Sequence, residues 1–327
     1  MKVFSTSRLT GNVLQPLQDV CDLDVWDNDK PVPRAVLSER LAGCDGLLCL
    51  LTNRIDAELI DAHPGLRFVS SMSVGVDHVD VAALSRRGIP LGHTPGVLVD
   101  TTADLAVALM LAAARRIPEA DRFVREGRWD PAMPWHPGMF VGKDIAGSTV
   151  GILGLGAIGQ AVATRLRAFG ARVIGWNRSP RQLEGVESVG LDVLLEQSDF
   201  LSIHVALSEE TRNLLGDDAI AAMKPGAVLI NTARGGIVDE VALASALKSG
   251  HLFAAGVDVF SREPVAEDNP LLGLSNVVLA PHIGSASERT RGRMAALAVE
   301  NMVAAIRGEP MLHCANPEVY QGFSGSD

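Results

Sequence analysis

Three side chains suited to acid–base and anion chemistry each follow a short apolar run. Arg234 comes after AVLINT, Glu263 after AAGVDVF and His282 after VVLAP. A guanidinium pairs with a carboxylate through parallel hydrogen bonds and polarises a nearby carbonyl. An imidazole is a natural proton donor because its ordinary pKa lies near neutrality. A carboxylate can hold the ring's other nitrogen and favour its protonated form. Arg234, Glu263 and His282 together suit reduction of a 2-keto acid, with His282 giving the proton. Alone, each could be a loop arginine, a turn acid or a structural histidine. Their shared position after an apolar run is what points to chemistry.

The reductant is implied by Gly154-Leu155-Gly156-Ala157-Ile158-Gly159, a GxGxxG after TVGIL. Ile158, Val162, Leu166 and Phe169 then recur at helical spacing. A glycine loop between a strand and a helix is the dinucleotide fingerprint. Its glycines allow a tight turn, close approach of a pyrophosphate and helix–strand packing, and the helix N-terminus favours phosphate. About 20 residues on, an acid would bind the ribose of NAD. Here ARVIGW runs into Asn177, Arg178 and Ser179, with Arg181 close behind and the nearest acid, Glu184, too far into the loop. NADP(H) is therefore the expected coenzyme, with NAD(H) as the alternative. Thr232 and Ala233 beside Arg234, Asp258 at the end of the run before Glu263, and Gly284 just past His282 complete the expected cofactor contacts. Asp258 either meets the nicotinamide amide or holds its loop.

These residues need a sheet to bring them together. Apolar runs of four to six residues alternate with helix-like stretches, which indicates parallel α/β architecture. One series comprises KVFSTS, CDLDVWD, GLLCLLT, LRFVSSMS and IPLGHT, separated by VLSERLAG, DAELIDAH and DVAALSRRG. The second comprises TVGILGLG, ARVIGWN, DFLSIHV, AVLINT, AAGVDVF and VVLAPH, and several of its helices end in Gly, a common helix terminator. Ligands of such sheets lie beyond the carboxyl ends of the strands, where Arg234, Glu263 and His282 fall. The spacing predicts a helix over 100–127, capped by Asp100 or Thr101 and broken at Pro118. Another follows His282, with Met294, Leu297, Ala298, Val299, Met302, Val303 and Ile306 on one broad face. Residues 98–287 then form a nucleotide-binding domain inserted into a domain made of 1–97 and 288–327. Two crossovers imply a hinge and a cleft. QGFSGSD reads as a frayed tail.

Composition excludes other classes. The 327 residues carry 29 Lys and Arg against 39 Asp and Glu, a net charge of −10, which argues against sequence-independent nucleic-acid binding. Cys21, Cys44, Cys49 and Cys314 lack metal-ligand spacing and read as free thiols in a reducing cytoplasm. MKVFSTSRLTG lacks the long apolar core of a signal peptide. The apolar helical stretch 105–114 is half the roughly 20 residues that span a bilayer. A cytoplasmic protein with no metal and no membrane partner is expected.

GLGAIG, NTARGGIVDE, VFSREP and APHIGSAS resemble the D-isomer-specific 2-hydroxyacid dehydrogenases over nearly the whole chain. Within that family, GCDGLLCLLTNRID, SSMSVGVDHVD, TPGVLVDTTADLAVALML and the stretch Trp135-His136-Pro137 are most similar to the glyoxylate/hydroxypyruvate reductases. The resemblance implies a Rossmann-type NAD(P)-binding domain inserted into a flavodoxin-like substrate-binding domain. It implies reduction of glyoxylate or hydroxypyruvate. It also implies that the Val74 and Gly75 amides hold the substrate carboxylate, that Leu51 lines the pocket, and that Ser285 lies beside the substrate. Trp135 resembles a residue that reaches the partner subunit's site, and His136 reads as structural. The apolar 101–116 helix is expected at a two-fold homodimer interface. Formate dehydrogenases of this superfamily carry Gln where Glu263 stands. A dehydrogenase for larger 2-keto acids and a nucleotide-sensing corepressor are the alternatives.

Overall fold

The computed structural model describes residues 1–9, 11–179 and 181–321. Of the tail QGFSGSD, all but Gln321 lies outside the described residues. The chain divides into two compact units. One is Val99–Ala286; the other joins Met1–Leu98 to the chain from Ser287 on.

The first unit begins with β1 (Lys2–Ser5), α1 (Gln15–Gln18), β2 (Asp22–Val25), α2 (Arg34–Leu41), β3 (Gly46–Cys49), α3 (Ala57–Ala62), β4 (Phe68–Ser71), α4 (Val81–Arg86) and β5 (Leu91–Gly92). The strands are parallel in the order β2-β1-β3-β4-β5, the flavodoxin-like order. β3 and β4 are buried at every position, as strands covered on both faces must be. Asp56 and Asp80 cap α3 and α4 by accepting from the Leu59 and Ala83 amides. The one-turn helix α1 escapes a periodicity reading because four residues cannot show a period.

The second unit contains α5 (Val99–Ala114), α6 (Ile117–Arg125), β6 (Thr149–Leu153), α7 (Ala157–Ala168), β7 (Arg172–Trp176), β8 (Glu187–Ser188), α8 (Leu191–Gln197), β9 (Phe200–Ile203), α9 (Asp217–Ala221), β10 (Ala227–Asn231), α10 (Glu240–Ser249), β11 (Leu252–Val257) and β12 (Val277–Leu279). Its strands are parallel in the order β12-β11-β10-β9-β6-β7-β8. The order reverses at β6, which is the Rossmann arrangement with a seventh strand. One core layer joins β9–β11 to α8–α10, and the opposite layer joins the sheet to α5 and α7.

Three expectations change here. α5 begins at Val99, so Asp100 lies in its first turn, where it and Asp104 pair with Arg165 of α7. The break falls at Arg116, whose φ is 54°, and Pro118 stands in the first turn of α6, where its missing N–H costs nothing. Phe169 ends α7 largely exposed, whereas Val162 and Leu166 are buried. The apolar character of α5 is also mostly used inside its own unit: Ala103, Ala106, Val107, Leu109, Met110, Ala113 and Ala114 are buried against the sheet and α7.

The chain then returns to the first unit as α11 (Glu288–Ile306), capped by Ser287. Ala298, Val299 and Met302 pack with Val3, Leu48 and Phe68. The following segment closes the free side of β5, where Gly92 bridges Cys314 and the Leu91 amide donates to Asn316 Oδ1 at 2.8 Å. Among the described residues no helix is long and apolar enough to cross a membrane, and no group of three or more His, Cys, Asp or Glu could hold a metal ion. The four cysteines are free thiols. Burial pushes the Cys49 thiol up to about 12.

Candidate active site

The glycine loop joins β6 to α7, beside the strand where the sheet order reverses. Gly154 has φ 102°, and a Cβ there would lie 2.7 Å from the His204 carbonyl carbon. A Cβ on Gly159 would meet the Gly154 oxygen at 2.0 Å. The chain itself therefore requires both glycines. Gly156 differs: its φ is −70°, and no atom lies within 4 Å of the Cβ position. The chain gives no reason for glycine there, but a pyrophosphate approaching that backbone would. No side chain caps α7, so the first-turn amides of Ala157 and Ile158 face the same approach. Thr232 Oγ1 is buried with no hydrogen-bond partner among the described residues. An open backbone cradle, an uncapped helix and an orphaned hydroxyl fit a dinucleotide.

The loop after β7 is tied to this cradle. Asn177 Oδ1 accepts from the Leu155 amide at 3.1 Å, and its Nδ2 donates to the Ser179 carbonyl at 2.8 Å. Arg181 Nη1 donates to the Leu155 carbonyl at 2.9 Å, so Arg181 braces the glycine loop. Arg178 is exposed and pairs with Glu210 at 2.7 Å. Glu210 is the acid that sequence reasoning missed. It stands 32 residues beyond Arg178, on the loop after β9, and only the strand order brings the two loops together. His204, at the end of β9, shares a hydrogen bond with Ser202 Oγ, and burial pushes its imidazole down to about 3.

Arg234, Glu263 and His282 converge at the carboxyl ends of β10, β11 and β12. The side chain of Asn231 shapes the turn that presents Arg234: its Oδ1 accepts from the Ala233 amide at 3.0 Å and its Nδ2 donates to the Arg234 carbonyl at 2.9 Å. His282 Nδ1 lies 2.6 Å from Glu263 Oε2, and the Phe260 amide donates to Glu263 Oε1 at 2.9 Å. Burial pushes the Glu263 carboxyl up. The His282 hydrogen bond, the Phe260 amide and the nearby charges of His282 and Arg234 outweigh it and hold the carboxyl below its ordinary range. The carboxylate thus engages the Nδ1 side of the ring.

His282 has φ 54°, an uncommon conformation for a non-glycine residue. Asp258 sustains it. Its carbonyl accepts from the His282 amide at 2.8 Å, while Oδ1 and Oδ2 accept from the Ile283 and Gly284 amides at 2.7 and 2.8 Å. The Gly284 carbonyl in turn accepts from Thr102 Oγ1 at 3.0 Å. Asp258 therefore supports the loop that carries His282. Burial raises its carboxyl pKa despite the two amides and the His282 charge.

Gly235 is a second residue that the sequence reading passed over. A Cβ there would lie 1.8 Å from the Phe260 carbonyl carbon and 2.2 Å from the Ser261 nitrogen. The loops bearing Arg234 and Glu263 thus touch backbone to backbone. The other expected residues lie on other segments of the chain. Ser285 is half-buried past His282, and Trp135 is exposed in the loop after α6. His136 Nδ1 accepts from the Gly138 amide, a local turn contact. Leu51, Val74 and Gly75 belong to the first unit, in the turns after β3 and β4.

Residues 107–284 match the family described as "D-isomer specific 2-hydroxyacid dehydrogenase, NAD binding domain". The chain is 48% identical over 322 residues to a glyoxylate reductase of Korarchaeum cryptofilum, covering 97% of this chain and 96% of that one. A solved Thermus thermophilus protein superposes with a TM-score of 0.90 at 45% identity, covering 96% of this chain and 100% of its own. The NADPH-dependent glyoxylate/hydroxypyruvate reductase of Sinorhizobium meliloti, solved with NADP and malonate, gives 0.84 at 33% identity and covers 96% of both chains. With a Rossmann sheet, a dinucleotide cradle and relatives of this likeness along almost its full length, the chain belongs to the D-isomer-specific 2-hydroxyacid dehydrogenases.

Proposed function

We propose that this enzyme reduces glyoxylate and hydroxypyruvate to glycolate and D-glycerate, with NADPH preferred to NADH. The observation that carries the reading is the His282–Glu263 pair at 2.6 Å beside the Arg234 charge. When bound, the reduced nicotinamide supplies the hydride. The Val74 and Gly75 amides receive the substrate carboxylate. Arg234 pairs with the substrate and draws electron density from its carbonyl. His282 gives the proton from Nε2 to the carbonyl oxygen as it becomes an alkoxide. Glu263, ionised, steadies the imidazolium before transfer. Leu51, exposed beyond β3, and Ser285 border the small substrate. Rapid NADPH oxidation on adding glyoxylate tests the assignment, and a nucleotide-sensing role predicts none.

The coenzyme preference rests on Arg178, with Asn177 and Ser179 beside it and no acid on the same loop turn. The name of the Sinorhizobium meliloti reductase supports it. A charge-assisted contact is worth about 1.5–3 kcal/mol, so Arg178→Ala should raise the NADPH KM roughly tenfold or more and leave NADH little changed. Glu210 competes for the same guanidinium and repels a phosphate dianion. Glu210→Gln should therefore lower the NADPH KM several-fold. Equal efficiency of the parent enzyme with both coenzymes would sink the preference.

Two copies are proposed to associate. Ile117, Val124, Trp129, Met133, Trp135 and Val141 are all exposed within one segment, Trp135 at 72%. Monomeric proteins seldom display so many large apolar side chains without a covering surface. Light scattering at micromolar concentration should return a dimer mass, and a monomer mass would count decisively against it.

A further inference from the structure

Two successive residues beyond β5 hold two successive carbonyls of the loop beyond β4. The Thr94 amide donates to the Ser73 carbonyl at 2.8 Å. His93 Nδ1 lies 3.1 Å from the Val74 carbonyl, and because a carbonyl only accepts, Nδ1 carries the hydrogen. In a trans peptide the C=O of one residue and the N–H of the next share a rigid plane and point opposite ways. Holding the Ser73 carbonyl therefore sets the direction of the Val74 N–H. Holding the Val74 carbonyl sets the direction of the Gly75 N–H. A carbonyl that accepts a hydrogen bond also makes the N–H of its own peptide group a stronger donor.

His93 is presented from a rigid frame. Its amide donates to the His313 carbonyl at 3.1 Å, and its carbonyl accepts from Asn301 Nδ2 at 3.0 Å. The His313 amide donates to Asn301 Oδ1 at 3.0 Å, and Asn301 is fully buried on α11. The start of the loop is held as well. Ser71 Oγ lies 2.8 Å from Ser73 Oγ and 2.9 Å from His78 Nε2.

We propose that His93 is a positioning residue that aims the Gly75 amide at the substrate carboxylate and so tunes substrate affinity. This rests on the reading that the Val74 and Gly75 amides receive that carboxylate. Thr94 acts through its main chain, so His93 is the part that substitution can remove. Its role predicts a specific kinetic signature: substrate binding weakens, while coenzyme binding and the chemical step do not.

Steady-state kinetics with glyoxylate at saturating NADPH, and NADPH titration by fluorescence, test this on the full-length enzyme. His93→Ala should raise the glyoxylate KM about tenfold. Its kcat and NADPH Kd should stay within about twofold of the parent. His93→Asn, which keeps an N–H donor, should recover part of the loss. If the alanine variant does not fold, His93→Phe keeps a ring without the donor and carries the same test. Gly75→Pro, which deletes the amide itself, separates the two ideas. An unchanged KM in Gly75→Pro overturns the amide reading and the proposal with it. A raised KM in Gly75→Pro with an unmoved KM in His93→Ala overturns the role of His93 alone. A fall in kcat or NADPH affinity without a KM change also overturns it.

Discussion

Replacing His282 should lower kcat for glyoxylate reduction by about 10²–10⁴-fold, the usual contribution of a positioned general acid. Asparagine is the better substitution than alanine. It tolerates the left-handed backbone that His282 adopts at φ 54°, so the three amide bonds to Asp258 survive and only the acid is lost. NADPH affinity, measured by fluorescence, should be nearly unchanged. The companion variant is Glu263→Gln. The parent carboxyl is held below its ordinary range, so it stays ionised through neutral pH, and loss of its charge begins only at distinctly acid pH. The carboxamide that replaces it offers no countercharge to an imidazolium. Reduction takes its proton from this ring, so kcat/KM for glyoxylate should fall about tenfold or more in the carboxamide variant. An unchanged kcat/KM in Glu263→Gln would show that the pair does not act in the reaction.

Gly235→Ala should lower kcat/KM about 100-fold without touching any reacting group. The added methyl would sit 1.8 Å from a backbone carbon of Phe260, and backbone cannot swing aside as a long side chain can. The turn after Arg234 and the turn before Glu263 must separate. A displacement near 1 Å in a catalytic constellation commonly costs about 10²-fold. Overpacking should also destabilise the fold by about 1–3 kcal/mol, seen as a lower Tm. The neighbouring Gly236 is the control, since the atoms nearest its Cβ position are ends of flexible side chains at 3.5 Å or more. Gly236→Ala should keep most of its activity. Comparable activity in both variants would disprove the contact's importance.

The sheets were legible because each strand is a compact apolar run that parallel pairing buries on both faces. GLLC in β3 and AVLIN in β10 are buried throughout and read as such. β8 was not legible: Glu187–Ser188 is polar, two residues long and defined only by its neighbour β7. The glycine loop and the Arg234, Glu263 and His282 positions could be read because strand-end chemistry has a sequence order. Glu210 could not, because its nearness to Arg178 is created by strand order across the sheet. Gly235 stood in a quoted motif, yet nothing in one dimension tells that its hydrogen faces another loop's backbone. Asp100 reads as a cap but is not one, because a carboxylate suits both a cap and a first turn, and Arg165 decides between them.

The open sides of the two sheets also bear on how copies of this chain can meet. A free strand edge invites another chain to add itself by main-chain pairing. Here β8 is two residues long and β12 three, too brief to template a partner. β5 is covered by the segment around Cys314, and β2 carries Asp22 and Asp24 along its length. Self-association by strand addition, the route to fibrils, is discouraged on each side. Assembly is left to side chains on helices and loops, where it can be specific, saturable and reversible.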